Sequence, residues 1–168
     1  MKNTIIKYGL YGFFTGLVIF LATILFGKNL SYSAQEIIGY TSMVVSLSFL
    51  FFGIKYYRDH VNNGIISFGK ALAIGVLISA FVGIGVGIAD YIYTSFINPN
   101  FATEYLETTL KTMENTLPAE EFQTKKVTLT KQMEDYGGSG FMAFLMFFTV
   151  VLIGFVISLI SGLVLQRK

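Results

Sequence analysis

Four long apolar runs, residues 5–26, 37–54, 71–96 and 141–165, limit what this chain can fold into. As a helix the first would be about 33 Å long at about 1.5 Å per residue, and the hydrocarbon core of a bilayer is about 30 Å thick. In lipid every backbone N–H and C=O needs an internal partner, so each run is expected to be a transmembrane helix. Membrane β-strands would alternate apolar and polar residues over about ten positions, and these runs do not alternate. The first run is longer than the apolar core of a cleavable leader, about 7–15 residues, and is read as an anchor.

Composition agrees with bilayer solvent. Only 13% of the residues are charged, against about 25% in a typical soluble domain. Eleven of the charged residues fall within residues 104–135. A net charge of +2 and the lack of a basic cluster interleaved with aromatics exclude a nucleic-acid partner. There is no cysteine and one histidine, His60, which excludes a thiolate nucleophile and a Cys-based metal centre. Gly83, Gly85 and Gly87 lie inside an apolar run, not between a strand and a helix, so they do not form a phosphate loop. No cofactor and no metal are expected.

Orientation follows from lysine and arginine in the short connections. With four spans, Lys2, Lys7, Lys55, Arg58, Lys70, Arg167 and Lys168 fall on one side, and Lys28 on the other. Both termini and the 55–70 loop are then expected in the cytoplasm. Residues 98–140 then lie outside. In that segment Phe101, Tyr105, Leu106, Leu110, Met113 and Leu117 recur at helical spacing, as do Phe122, Leu129, Met133 and Tyr136. Pro118 stands between the two stripes, where it can open a second helix. The predicted fold is therefore all-α: an integral membrane four-helix bundle with an extracytoplasmic helical hairpin between spans 3 and 4.

Three groups of residues are candidates for a role. On the third span Ala71, Gly75, Ser79, Gly83 and Gly87 recur every four residues and share one helix face. Small residues let helix backbones approach closely in lipid. The stripe fits packing inside the bundle or a homo-oligomer seam. Asp90 is the one acid within an apolar run. Counting about 19 residues from Ala71 puts it at the outer interface, beside the aromatic belt of Tyr91 and Tyr93. An intramembrane carboxylate is otherwise a candidate proton or ion relay, or a structural hydrogen-bond partner of another helix. The third group is the loop "KYYRDHVNNGIISFGK". Lys55 and Arg58 suit a helix C-terminus and an anionic leaflet. Asn62-Asn63-Gly64 is turn chemistry that tolerates positive φ, and Ser67 can cap the next helix.

Residues 53–75, "GIKYYRDHVNNGIISFGKALAIG", together with "FINPNFATEYLE" (96–107) and the final "LIGFVISLISGLVLQRK", carry a resemblance. The chain resembles domain-of-unknown-function family 4199, four-span membrane proteins of Bacteroidota. The resemblance implies a bacterial inner-membrane protein and brings no catalytic residues with it. It draws attention to Tyr57, Arg58, Asp59, Gly64, Phe68, Gly69 and Lys70 as a motif.

The leading functional expectation is a non-enzymatic scaffold or modulator of an unknown protein partner, with the lipid bilayer as its solvent. The alternative is a subunit of an oligomeric transporter or channel, motivated by Asp90 and the glycine stripe. A lipid-binding membrane enzyme is the third class. It would need Arg58 and Lys70 to hold a lipid phosphate.

Overall fold

The computed structural model describes residues 1–26, 30 and 32–167. Lys28 and Lys168, both used above to orient the chain, lie outside the described residues. Six α-helices follow in order: α1 (Lys2–Phe26), α2 (Tyr32–Tyr56), α3 (Phe68–Ile92), α4 (Phe101–Thr116), α5 (Ala119–Tyr136) and α6 (Ser139–Leu165). A π-helical turn, Tyr57–Val61, extends α2, and another, Tyr93–Ile97, extends α3. Among the described residues the only β-pairing outside helices is an isolated antiparallel bridge between Ile66 and Arg167. Four helical segments are long and apolar enough to cross a membrane: Lys2–Thr23, Ile37–Val61, Phe68–Ile97 and Ser139–Leu165. The chain is an all-α, multi-pass membrane protein.

It divides into two compact units. One comprises Met1–Ala89 and the segment from Met146 onward, and the other is Asp90–Leu145. In the first unit the large apolar side chains that are fully buried include Leu47, Leu50 and Ile54 of α2, Ile66 of the loop, Ile74, Ile78 and Val82 of α3, and Val150 of α6. The outer faces are as apolar as the core: Phe14, Val18, Val44, Phe52, Ile160 and Val164 are all exposed. In water such continuous surface would associate. In a bilayer it meets acyl chains, and the inside–outside difference shifts from polarity to side-chain size.

That difference is visible where helices touch. A Cβ on Gly154 of α6 would collide with the Ser79 side chain of α3, and one on Gly75 would collide with Ser158. The two contacts are reciprocal, each glycine facing a serine four residues from the opposing glycine. At Gly83 a Cβ would stand 2.9 Å from the Phe147 ring, and at Gly12 of α1 it would stand 2.6 Å from the Val82 side chain. The serines leave no stray donors in lipid. Ser79 donates to the Val76 carbonyl at 2.8 Å and Ser158 to the Gly154 carbonyl at 2.6 Å, both within their own helices.

In the second unit, Leu117 ends α4 in an extended conformation, φ −110° and ψ 152°, as expected for a residue preceding proline. The Pro118 carbonyl accepts the Phe122 N–H at 2.9 Å, opening α5. Glu104 in the first turn of α4, and Glu120 and Glu121 in that of α5, complement the positive helix ends. Of the two predicted apolar stripes, Phe101, Leu106, Leu110, Met113, Leu117, Leu129 and Met133 are half-buried and Phe122 is buried, while Tyr105 and Tyr136 are exposed. α4 and α5 contact each other, and Gly137 at the end of α5 lies beside Ala102 near the start of α4.

The small-residue contacts predict an opposite response at two glycines. Gly154→Val should destabilise the bundle by about 1–3 kcal/mol through overpacking. Gly39→Ala, where a Cβ meets open space, should be neutral or stabilising by up to about 1 kcal/mol from helix propensity. Thermal unfolding in a mild detergent measures both. Equal behaviour of the two variants would refute close packing at Gly154.

Candidate functional site

The motif around Arg58 forms a clasp between the α2–α3 connection and the end of α6. The π-turn Tyr57–Val61 closes when the Asn62 N–H donates to the Tyr57 carbonyl at 2.9 Å. Reversal follows at Asn63 and Gly64, with φ of 53° and 82°, the left-handed region that Asn and Gly occupy most readily. The Gly64 N–H donates to the Arg58 carbonyl at 2.7 Å and the Asn62 side-chain amide to the Ile65 carbonyl at 2.6 Å. Ile66 then pairs with Arg167 through two backbone bonds, N–H to carbonyl, of 3.0 and 2.9 Å. The Ser67 carbonyl accepts the Ala71 N–H at 3.0 Å as α3 begins.

Arg58 is the centre of this arrangement and is only 7% exposed. Its Nε and Nη2 donate to the two carboxylate oxygens of Asp59 at 2.6 and 3.1 Å. Its Nη1 donates to the Leu165 carbonyl at 3.3 Å. The last carbonyls of a helix lack intrahelical partners, so Arg58 supplies a donor and a positive charge where α6 ends. The planar fork can do both tasks at once, which the single ammonium of lysine cannot.

The other motif residues divide into supports and surface. Tyr57 is buried, with the Lys70 ammonium 6.0 Å from its ring centroid. The Phe68 ring packs on Gly162 of α6, where a Cβ would stand 3.1 Å away. Gly69 faces open space. His60 is exposed and stacks on Tyr56 with ring centroids 4.8 Å apart. Arg58 and Lys70, the pair considered above for a lipid phosphate, are thus engaged with Asp59 and with Tyr57. Among the described residues no cluster of three or more His, Asp or Glu side chains has metal-binding geometry.

The small-residue stripe lies apart from the clasp. Gly75, Ser79 and Gly83 face α6, and Gly87 is buried. Asp90 is only 5% exposed, and its Oδ2 has no hydrogen-bond partner among the described residues. Its backbone carbonyl accepts the Thr94 hydroxyl at 2.9 Å. The apolar helical segment continues past Asp90 to Ile97, about two turns further.

Leu165, Ile66 and Arg167 complete the clasp and are absent from the sequence motif. One signal was present: Tyr57 and Asn62 share a spacing with Tyr93 and Asn98, and each pair closes a π-turn through the same bond. The second is 2.8 Å, from the Asn98 N–H to the Tyr93 carbonyl.

Four apolar helices, with the α2–α3 connection tied to the end of α6 by an arginine clasp, define a multi-pass helical membrane protein. The family model described as Protein of unknown function (DUF4199) matches residues 7–167. The chain belongs to that family. No curated protein and no solved structure matches it.

If Arg58 holds the clasp, Arg58→Ala should speed hydrogen exchange at the Ile66 and Arg167 amides roughly tenfold, the loss of about 1.4 kcal/mol expected for a charged hydrogen bond. Lys70→Ala should leave both amides protected. Unchanged exchange in Arg58→Ala would show that the bridge stands without the guanidinium.

Proposed function

We propose that the chain is a small bacterial inner-membrane protein, with cytoplasmic termini, that scaffolds or modulates a protein partner without catalysis. In this reading residues 98–140 form an extracytoplasmic helical hairpin that presents the binding surface. The observation that carries it is the mixed surface of α4 and α5. Glu107, Glu114 and Lys126 are exposed, and so are Tyr105, Tyr136 and Val127, the last at 68%. Apolar groups surrounded by charge are the composition of a partner-binding face in water.

Photo-crosslinking in cells tests this. A crosslinker at Val127 should give one adduct of defined mass, reduced several-fold by Tyr105→Glu. The same crosslinker at the bilayer-facing Val156 should give none. No adduct at Val127, or an unresolved smear at both positions, would remove the partner-binding reading.

A second reading, a subunit of an oligomeric transporter or channel, is favoured by Asp90. A buried carboxylate oxygen without a donor is costly, and an acid within a span marks ion and proton pathways. Asp90→Asn should then abolish proton or cation flux in proteoliposomes. Flux unchanged by the substitution would eliminate Asp90 as a relay.

A further inference from the structure

A cavity of about 440 Å³ opens at the end of the bundle where α1 starts and α2 finishes. That volume lies within the usual range for small-molecule sites, about 300–1,000 Å³. Met1 lines it together with Lys2, Asn3, Thr4 and Lys7 of α1, Tyr56 of α2 and Val61 of the π-turn. Two features separate these cations from Arg58. Among the described residues no carboxylate lines the cavity, and neither Lys2 nor Lys7 has an acidic partner. Lys7 is instead placed by aromatic rings, its Nζ lying 5.1 Å from the Tyr56 centroid and 5.9 Å from that of Tyr8. Tyr56 is itself fixed between Tyr8, at 5.6 Å, and His60. Lys2 and Lys7, together with Met1, Asn3 and Tyr56, thus border one space.

The position adds to the chemistry. Residues at this end lie where the first apolar span begins and the second finishes, which is the depth of lipid headgroups. Val61 at the rim is exposed and apolar, as the start of an acyl chain would require. We propose that this cavity binds a phosphate group through Lys2 and Lys7, with Asn3 and Tyr56 as neutral donors. A lysine ammonium meets a phosphate oxygen as a point charge, without the bidentate geometry of arginine. An anionic phospholipid and free phosphate both offer this chemistry. The site is independent of the scaffold reading, since it lies on the bundle and not on α4 or α5.

The test uses the full chain in nanodiscs of phosphatidylcholine with increasing phosphatidylglycerol, and native mass spectrometry to count retained lipids. The wild type should retain phosphatidylglycerol in preference to phosphatidylcholine. Lys7→Gln should reduce that preference about tenfold, the loss of one charge-assisted hydrogen bond to the phosphate. Lys2→Gln should act similarly, and Lys7→Arg should restore retention. Asn3→Asp, which places a carboxylate in the cavity, should reduce retention without removing a lysine. Lys55→Gln, a cation outside the cavity lining, should have no effect. Displacement of the lipid by inorganic phosphate would identify the free anion as a ligand, and resistance to displacement would identify the lipid. An equal loss in Lys55→Gln would reduce the effect to general surface attraction and overturn the site. Full retention in both the Lys2→Gln, Lys7→Gln double variant and Asn3→Asp would overturn it as well.

Discussion

The structure depends on how two apolar helices find each other when their surroundings are equally apolar. Water drives no contact between α3 and α6 inside a bilayer, so dispersion at short range must supply it. The Gly75–Ser158 and Ser79–Gly154 contacts achieve this by removing side-chain bulk from both surfaces at matching heights. The serine hydroxyls are satisfied by carbonyls of their own helices. The seam therefore gains proximity without leaving an unpaired donor in the hydrocarbon. Gly12, against Val82 and the Ser46 carbonyl, extends the same principle to α1 and α2.

Close packing of smooth faces leaves one problem, which is longitudinal register. Repeats of small residues every four positions would fit almost as well after a slip of one turn. The clasp removes that freedom. Arg58 reaches from the end of α2 to the Leu165 carbonyl, and Ile66 pairs with Arg167, so the end of α6 is tied to the α2–α3 connection. Asp59 neutralises the guanidinium that this reach brings out of water, which a buried arginine needs. The Tyr-Arg-Asp sequence thus has a structural reason that any other basic turn would lack.

The parts that could be read from sequence are those encoded locally. Run lengths identified four spans, Pro118 separated α4 from α5, and Asn63-Gly64 marked the reversal. The five-residue face from Ala71 to Gly87 indicated close approach. The clasp was not legible, because its acceptor is a backbone carbonyl 107 residues away, and a carbonyl carries no residue identity. The burial of Asp90 escaped for a related reason. Hydropathy estimates depth along a helix, whereas burial depends on which face a neighbour covers. Counting residues from Ala71 estimates how far along α3 the carboxylate lies, and says nothing of the neighbours that leave Asp90 only 5% exposed.

The basic residues at the clasped end also divide in a way that charge counting hides. A topology rule treats Lys2, Lys7, Lys55, Arg58 and Lys70 as equivalent positive charges. Their partners make them different. Arg58 is neutralised by Asp59 and holds a helix end, so it contributes little field to the surface. Lys70 lies over the Tyr57 ring. Lys7 lies between two tyrosine rings and lacks a counter-ion, and an aromatic face attracts a cation without cancelling its charge. Such a lysine stays available to an anion while its position is held. The arginine of the motif is therefore explained by architecture, and capacity for recognition at this end rests with the lysines of α1, outside the motif.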